Sequence, residues 1–346
     1  MTSPAAAARR AVWARAGSAP RGAEAAATWE APDARRRLQL ALAAIWLLAG
    51  VLQYQPSMFT RAFSQMLAAT SACNPAVIAD PITGAARIIA DHPTATNATF
   101  ATIQLALGLG IAWRRSVRIA LAASIAWSLA VWWLGEGLGG VLTGGASPVS
   151  GAPGAVVLYA LLAVLLWPAP AAGPRSFVAA RPVGARPARV LWLVLWGSLA
   201  YFALQAGNRT TQGLHDMIAA LAAGEPGWLA STDRGAASLL AHHGLLASVL
   251  LAVVLAAIAA GIFLPAPAVR VTVAAAIVVS AVLWVVGQDL GEILAGGATD
   301  VNSGPLLLLI ALAYWPLSAG RPAGLPASAP AGRAATEGDD SAGAGR

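Results

Sequence analysis

The apolar residues of this chain are gathered into eight runs of about 14 to 20 residues, separated by Arg, Pro, Gly and short polar stretches. A helix rises about 1.5 Å per residue, so runs of this length suit a hydrocarbon layer about 30 Å thick. Only 11% of the residues are charged, against about 25% in soluble domains. The sequence therefore predicts an all-α polytopic membrane protein that crosses the lipid bilayer eight times.

The basic residues indicate the orientation. All 22 are arginine, and with a cytoplasmic N-terminus 18 of them fall in inner segments, leaving four in outer ones: Arg61, Arg87, Arg209 and Arg234. This is the distribution that the positive-inside rule describes. The net charge of +7 thus reflects membrane orientation, and no nucleic-acid partner is expected. The Ala-, Gly- and Arg-rich composition predicts a bacterial plasma (inner) membrane protein with both termini cytoplasmic.

The two halves of the chain resemble each other. Residues 72–93 align with 223–244, residues 131–147 with 283–299, and residues 165–168 with 313–316. A tandem duplication with four spans in each half predicts two parallel four-helix repeats that insert the same way up. The expected order is a disordered cytoplasmic N-tail (1–37), the first repeat (38–167), a cytoplasmic linker (168–189), the second repeat (190–317) and a disordered cytoplasmic C-tail (318–346).

A long segment follows the first span of each half on the outer side. Its apolar residues fall at helical spacing, which predicts short helices that lie on the membrane surface or cover the bundle. Asp80 with Pro81 is a plausible start for the second of these helices in the first half, and Asp233 in the other half.

A glycine-rich segment follows the third span, VWWLGEGLGGVLTGGASPVSGAPG at 131–154. The fourth span, residues 155–167, reaches only about 20 Å. We therefore expect the loop at 143–154 to dip inward, which irregular backbone tolerates only when it is buried in protein or lines a wet cavity. The second half repeats this arrangement ahead of its own short last span.

Four carboxylates accompany these loops: Glu136, Asp289 and Glu292 at the predicted rim, and Asp300 near the mouth. Carboxylates at membrane depth are costly and indicate a site for cations, protons or polar substrates. One interpretation is a cavity open to the outer side that binds or transports a small polar or cationic solute. The alternative is that these residues have reached the headgroup layer and that the glycines only pack helices.

His92 and His243 occupy equivalent positions just ahead of the second and sixth spans. Paired imidazoles from the two halves could hold a metal or the iron of a haem. No His-Glu-x-x-His or Cys-x-x-Cys-His pattern supports this, and interfacial hydrogen-bonded histidines are the alternative. The single Cys73 cannot form a disulfide within the chain.

No catalytic motif was found. The chain has no Lys, so it has no phosphate-binding Gly-Lys loop, and Gly-x-Ser-x-Gly is missing. The sequence therefore does not indicate an enzyme.

Several stretches resemble a family of uncharacterised bacterial multi-pass membrane proteins: LQYQPSMFTRAF (52–63), NATFATIQLALGLGIAWR (97–114), the run from WSLAVWW to LLWP (127–168), and WVVGQDLGEILAGGATDVNSGPLLLLIALAYWP (284–316). The resemblance covers most of 38–317 and implies no activity. A fainter one, through LGLGIAWRRSVRIAL (107–121), is to DoxX-like four-helix membrane proteins. It implies an alternative function as a membrane redox subunit that binds quinone or haem. A third possibility is a structural or assembly partner.

Overall fold

The computed structural model describes residues 34–169 and 177–317. The predicted C-tail, nearly all of the predicted N-tail and the centre of the predicted linker lie outside these ranges. Within them every regular element is helical and no strand is present. The protein is thus all-α over its described length.

Twelve helices form the described chain, six from each half, joined by loops and helical turns of three to five residues. The first half contains α1 Ala34–Leu52, α2 Arg61–Ala69, α3 Ala76–Asp91, α4 Pro93–Ala112, α5 Val117–Leu134 and α6 Ala155–Leu165. The second half contains α7 Ala185–Ala203, α8 Gly213–Leu221, α9 Gly227–Leu240, α10 Gly244–Gly261, α11 Ala266–Val282 and α12 Ser303–Ala313.

Four of these helices are long and apolar enough to cross a membrane: α4, α5, α10, and α11 with the helical turn that extends it to Gly287. The other four predicted spans fall short for two reasons. Helices α1 and α7 carry arginines in their first turns, and α6 and α12 are only 11 residues long. Length and composition therefore define a multi-pass helical membrane protein with four clear candidate spans.

Helix packing follows the same scheme in both halves. Helix α1 packs against α4 and α7 against α10, while α5 packs against α6 and α11 against α12. The shorter helices pair likewise, α2 with α3 and α8 with α9. Contact between the halves runs through α6 and α12 at the centre of the molecule.

The central helices are buried in protein along most of their length. Tyr159 and Leu162 of α6 and Leu307 and Ile310 of α12 are completely inaccessible to solvent. Because neighbouring helices surround them, α6 and α12 need not match the thickness of the lipid, and helices of about 16 Å suffice.

Side chains of α1 join the ends of α4 and α6. Arg36 donates to the carbonyls of Ile111 and Ala112 at the end of α4, and Gln39 donates to the carbonyl of Leu166. These carbonyls end their helices and lack an intrahelical partner. Helix α1 already includes Ala34, the first described residue, before the boundary predicted at 38. Helix α7 begins at Ala185, inside the predicted linker.

Helices α3 and α9 differ from the prediction in where they start. Helix α3 follows Pro75 and α9 follows Pro226, so neither Asp80 nor Asp233 is a helix cap. Each of these prolines has extended backbone, and its carbonyl accepts the first hydrogen bonds of the helix that follows. Asp233 instead lies inside α9, on its buried face.

Candidate functional site

The structure brings two of the four predicted carboxylates together at one cavity. This cavity has a volume of about 520 Å³ and lies in the first half, between α1 to α6. Glu136 lines it, and Asp300 reaches it from the second half together with Thr299 and Asn302. Asp289, Glu292, His92 and His243 are not among its lining residues.

Glu136 is held by a sharp turn that follows α5. Gly139 has a φ of +62°, and a Cβ there would overlap the carbonyl of Pro153. Trp132 donates from its indole Nε1 to that carbonyl at 2.7 Å, and the backbone N–H of Val156 donates to the Glu136 carboxylate at 3.2 Å. The glycine-rich sequence therefore lets the chain fold back and place a carboxylate at the start of α6.

The second half builds the same arrangement without the charge. Trp284 donates to the carbonyl of Val301 at 2.9 Å, as Trp132 does to Pro153. The backbone N–H of Gly304 donates to Oε1 of Gln288 at 2.9 Å. Gln288 is the residue that aligns with Glu136, so an amide performs the same structural role. The negative charge of Glu136 is not needed for this turn.

Each glycine-rich loop packs against the other half of the molecule. The side-chain amide of Asn208 donates to the carbonyl of Ala146 at 3.1 Å. In the opposite direction, Gln55 donates to the carbonyl of Ala298 at 3.1 Å, and Gln53 to that of Thr299 at 3.4 Å. Each loop is thus buried in part against the other half, at Ala146 and at Ala298, and the crossing brings Asp300 into the first half.

The glycine-rich loops of the two halves differ in length. Aligned positions are 152 apart before the loops (131 and 283) and 148 apart after them (165 and 313), so the first loop is four residues longer. Its Val149 is buried in a cluster with Leu214, Ile218 and Leu283 of the second half. The place that corresponds to the cavity is therefore filled in the second half.

Aromatic side chains form much of the cavity wall. The ring centroids of Trp46 and Tyr159 are 4.2 Å apart, and those of Phe100 and Trp127 are 5.5 Å apart. Phe63 completes the set. At four of these positions the aligned second-half residues are aliphatic: Leu214, Leu251, Val279 and Leu307. Trp46 is matched by Trp196, because both are buried and the buried positions of α1 and α7 correspond. Phe63, Phe100, Trp127 and Tyr159 are thus particular to the first half.

Four lining side chains carry a buried polar atom that has no hydrogen-bond partner: Oε1 of Gln53 and Gln104, Nε1 of Trp127 and the hydroxyl of Tyr159. Buried polar groups are nearly always satisfied in proteins. None of the described lining residues is Arg or His. The cavity therefore has capacity for polar contacts and two carboxylates that no lining cation neutralises.

Asp289 and Glu292 lie elsewhere than predicted. Asp289 is fully buried and faces Asp233 and Glu225, while Glu292 is exposed. Burial, and then the charges of Asp233 and Glu225, raise the pKa of Asp289 to about 7. Burial and the charge of Glu225 also raise the pKa of Asp233.

The backbone turn explains this placement. Asp289 aligns with Gly137, and a Cβ on Gly137 would face Asn74 and Ile82, which align with Glu225 and Asp233. A side chain at this position therefore points toward α3 in the first half and toward α9 in the second half.

His92 and His243 occupy equivalent positions in the two halves. His92 precedes α4 and His243 precedes α10, and both are exposed. The described residues contain no group of three or more His, Cys, Asp or Glu side chains suited to a metal ion. The metal or haem hypothesis gains no support from this geometry.

The aromatic wall and the glutamines were missed from the sequence. Trp127 lies ten residues, or about 15 Å, from the start of α5 and so near the middle of that span. Aligning the two halves would have indicated these residues, because Phe100, Gln104 and Trp127 align with the aliphatic residues Leu251, Leu255 and Val279.

Comparison with known proteins gave no match, whether against protein-family models, curated proteins or solved structures.

Proposed function

We propose that this chain crosses the membrane eight times as two parallel repeats, with both termini cytoplasmic. The matching helix order and the matching Trp132–Pro153 and Trp284–Val301 contacts support the repeat. Helices α1 and α7 would cross with their arginines in the inner headgroup layer, and α6 and α12 would cross inside a sheath of protein. The inner membrane of a bacterium is the proposed location.

We further propose that the first-half cavity binds a small cationic solute, as the binding step that transport would also need. The observation that carries this proposal is the pairing of Glu136 with Asp300 at one enclosed space whose described lining contains no basic side chain. Opposite charges at about 4 Å attract by about 4 kcal/mol at an effective dielectric constant of 20. A cation there would gain this attraction, whereas an anion would be repelled.

The second half acts in this proposal as a support. It has the same turn with Gln288 in place of Glu136, its own site is filled by Val149, and it supplies Asp300 through the crossed loop. One binding site per chain follows from this asymmetry.

The test is to identify small molecules that co-purify with the full-length protein. We expect mass spectrometry to find a cationic compound with the wild type and much less of it with Glu136→Gln. That variant should fold normally, because Gln288 makes the equivalent bond in the second half. An equal amount of the same compound on both proteins, or a bound anion or quinone instead, would overturn the proposal.

A further inference from the structure

We propose that the solute is an alkylated ammonium ion with an elongated apolar part. Its charged head would lie between Glu136 and Asp300, and its apolar part would extend inward along the aromatic wall. This inference rests on the proposed cation site and adds the chemical class of the cation.

A bare metal ion does not fit the site. A volume of about 520 Å³ is in the range of pockets that enclose organic ligands of drug-like size. Inorganic cations such as Ca²⁺ need six to eight oxygen ligands at 2.3 to 2.6 Å, and the described residues supply no cluster of three acidic or histidine ligands. The size and the sparse carboxylates favour an organic cation.

The charged and aromatic groups are separated along the cavity. Glu136 lies nine residues after Trp127, which corresponds to about 13 Å along a helix. Phe100 and Trp127, with their rings in contact, therefore line the inner end, whereas Glu136 and Asp300 line the outer end. A ligand that satisfies both ends needs a cationic head and an apolar extension.

Aromatic walls favour a weakly hydrated cation. A cation within about 6 Å of a ring is attracted to the ring face, and quaternary ammonium groups are recognised in this way. Trp46 and Tyr159 line the cavity beside the start of α6, where Glu136 is bound. An alkylated ammonium head can contact these rings and the carboxylates at once, and it loses little hydration on entry.

The second half provides an internal comparison. It retains the fold but has Leu251 and Val279 in place of Phe100 and Trp127, and Gln288 in place of Glu136. The charge and the Phe100–Trp127 pair are therefore both absent from the half in which Val149 fills the corresponding place. An alkylated ammonium ion with an apolar part accounts for the presence of both the Glu136 carboxylate and the aromatic side chains around the first-half cavity.

The experiment is calorimetric titration of the full-length protein in lipid nanodiscs with three probes: benzyltrimethylammonium, tetramethylammonium and potassium, at constant ionic strength. We expect benzyltrimethylammonium to bind at least about tenfold more tightly than tetramethylammonium, and potassium not to compete. Trp127→Val and Phe100→Leu, which copy the second half, should each weaken benzyltrimethylammonium at least about tenfold. Trp127→Phe, which keeps a ring, should retain most of the affinity and controls for a general packing defect.

Two results would overturn this inference while the cation site stands. One is equal affinity for the three probes with loss on Glu136→Gln, and the other is full benzyltrimethylammonium affinity in folded Trp127→Val and Phe100→Leu. Absence of binding by every probe to the wild type would overturn the proposed function as well.

Discussion

Asp289 combines three unfavourable features, so its replacement should stabilise the protein in a pH-dependent way. It has a φ of +48°, its side chain is fully buried, and the charged side chains that face it are acidic. The acidic groups that face it are Asp233, Glu225 and Glu292. Gly137 occupies the aligned position in the first half, so Asp289→Gly copies a conformation that the protein already uses.

The sign of the pH effect follows from the raised pKa. The pKa of Asp289 is about 7 when folded and about 3.9 when unfolded. Between these values the folded state holds the proton and the unfolded state does not, so stability falls as pH rises through this window. The contribution of this group is fully present below about pH 4 and is lost above about pH 7.

Two variants separate the causes. Asp289→Asn removes the charge but keeps the left-handed backbone. It should stabilise by about 1 to 3 kcal/mol at pH 8, the cost of an ionised carboxylate buried beside other acidic groups, and little at pH 5, where Asp289 is protonated in the folded state. Asp289→Gly also relieves backbone strain of about 1 to 2 kcal/mol, and that part should persist at pH 5. The measurement is chemical unfolding in detergent micelles at both pH values. Equal stability of wild type and Asp289→Asn at pH 8 would refute the reasoning.

Three further predictions follow from the loops and the topology. Gly139→Ala should destabilise the protein by about 2 kcal/mol or more, because about 1 to 2 kcal/mol comes from the left-handed backbone and the rest from overlap of the new Cβ with the Pro153 carbonyl. Gly84→Ala is the control and should not destabilise, since nothing lies within 4 Å of its new Cβ. Equal unfolding midpoints for the two variants would contradict this prediction. Val149→Ala should cost about 1 to 3 kcal/mol by opening a void among Leu214, Ile218 and Leu283, with ligand affinity unchanged, and a loss of affinity would argue that the two halves are coupled. Cys73 is exposed, so a membrane-impermeant maleimide should label it in intact cells, while Arg115→Cys in a Cys73→Ser background should react only after lysis; the reverse pattern would invert the topology.

Sequence reasoning captured the features that depend on local pattern. The apolar runs predict the all-helical membrane class, which the described helices support, and the glycine-rich segment indicates Glu136 as a candidate residue. Asp300 was also selected, although its place in the first-half cavity depends on crossed loops. Such a crossing is set by contacts between Gln55 and Ala298, which are 243 residues apart, and no local pattern contains it.

The placement of Asp289 failed for a related reason. From the sequence, Glu136 and Asp289 follow their spans by similar distances and belong to the same rim. A left-handed turn directs successive residues in different directions, so Glu136 lies at the cavity while Asp289 faces α9. The direction depends on backbone dihedral angles and not on sequence spacing.

The charges of Glu136 and Asp300 are the central feature of the proposed cation site. Equilibrium binding of tetramethylammonium to nanodisc-embedded protein measures it directly, in the wild type, Glu136→Gln and Asp300→Asn, with Asp216→Asn as a control for an exposed carboxylate. Charge-assisted contacts are worth about 1.5 to 3 kcal/mol, so each cavity variant should bind at least about tenfold more weakly, and Asp216→Asn should bind as the wild type does. Identical binding by all four proteins would contradict a cation site at this cavity.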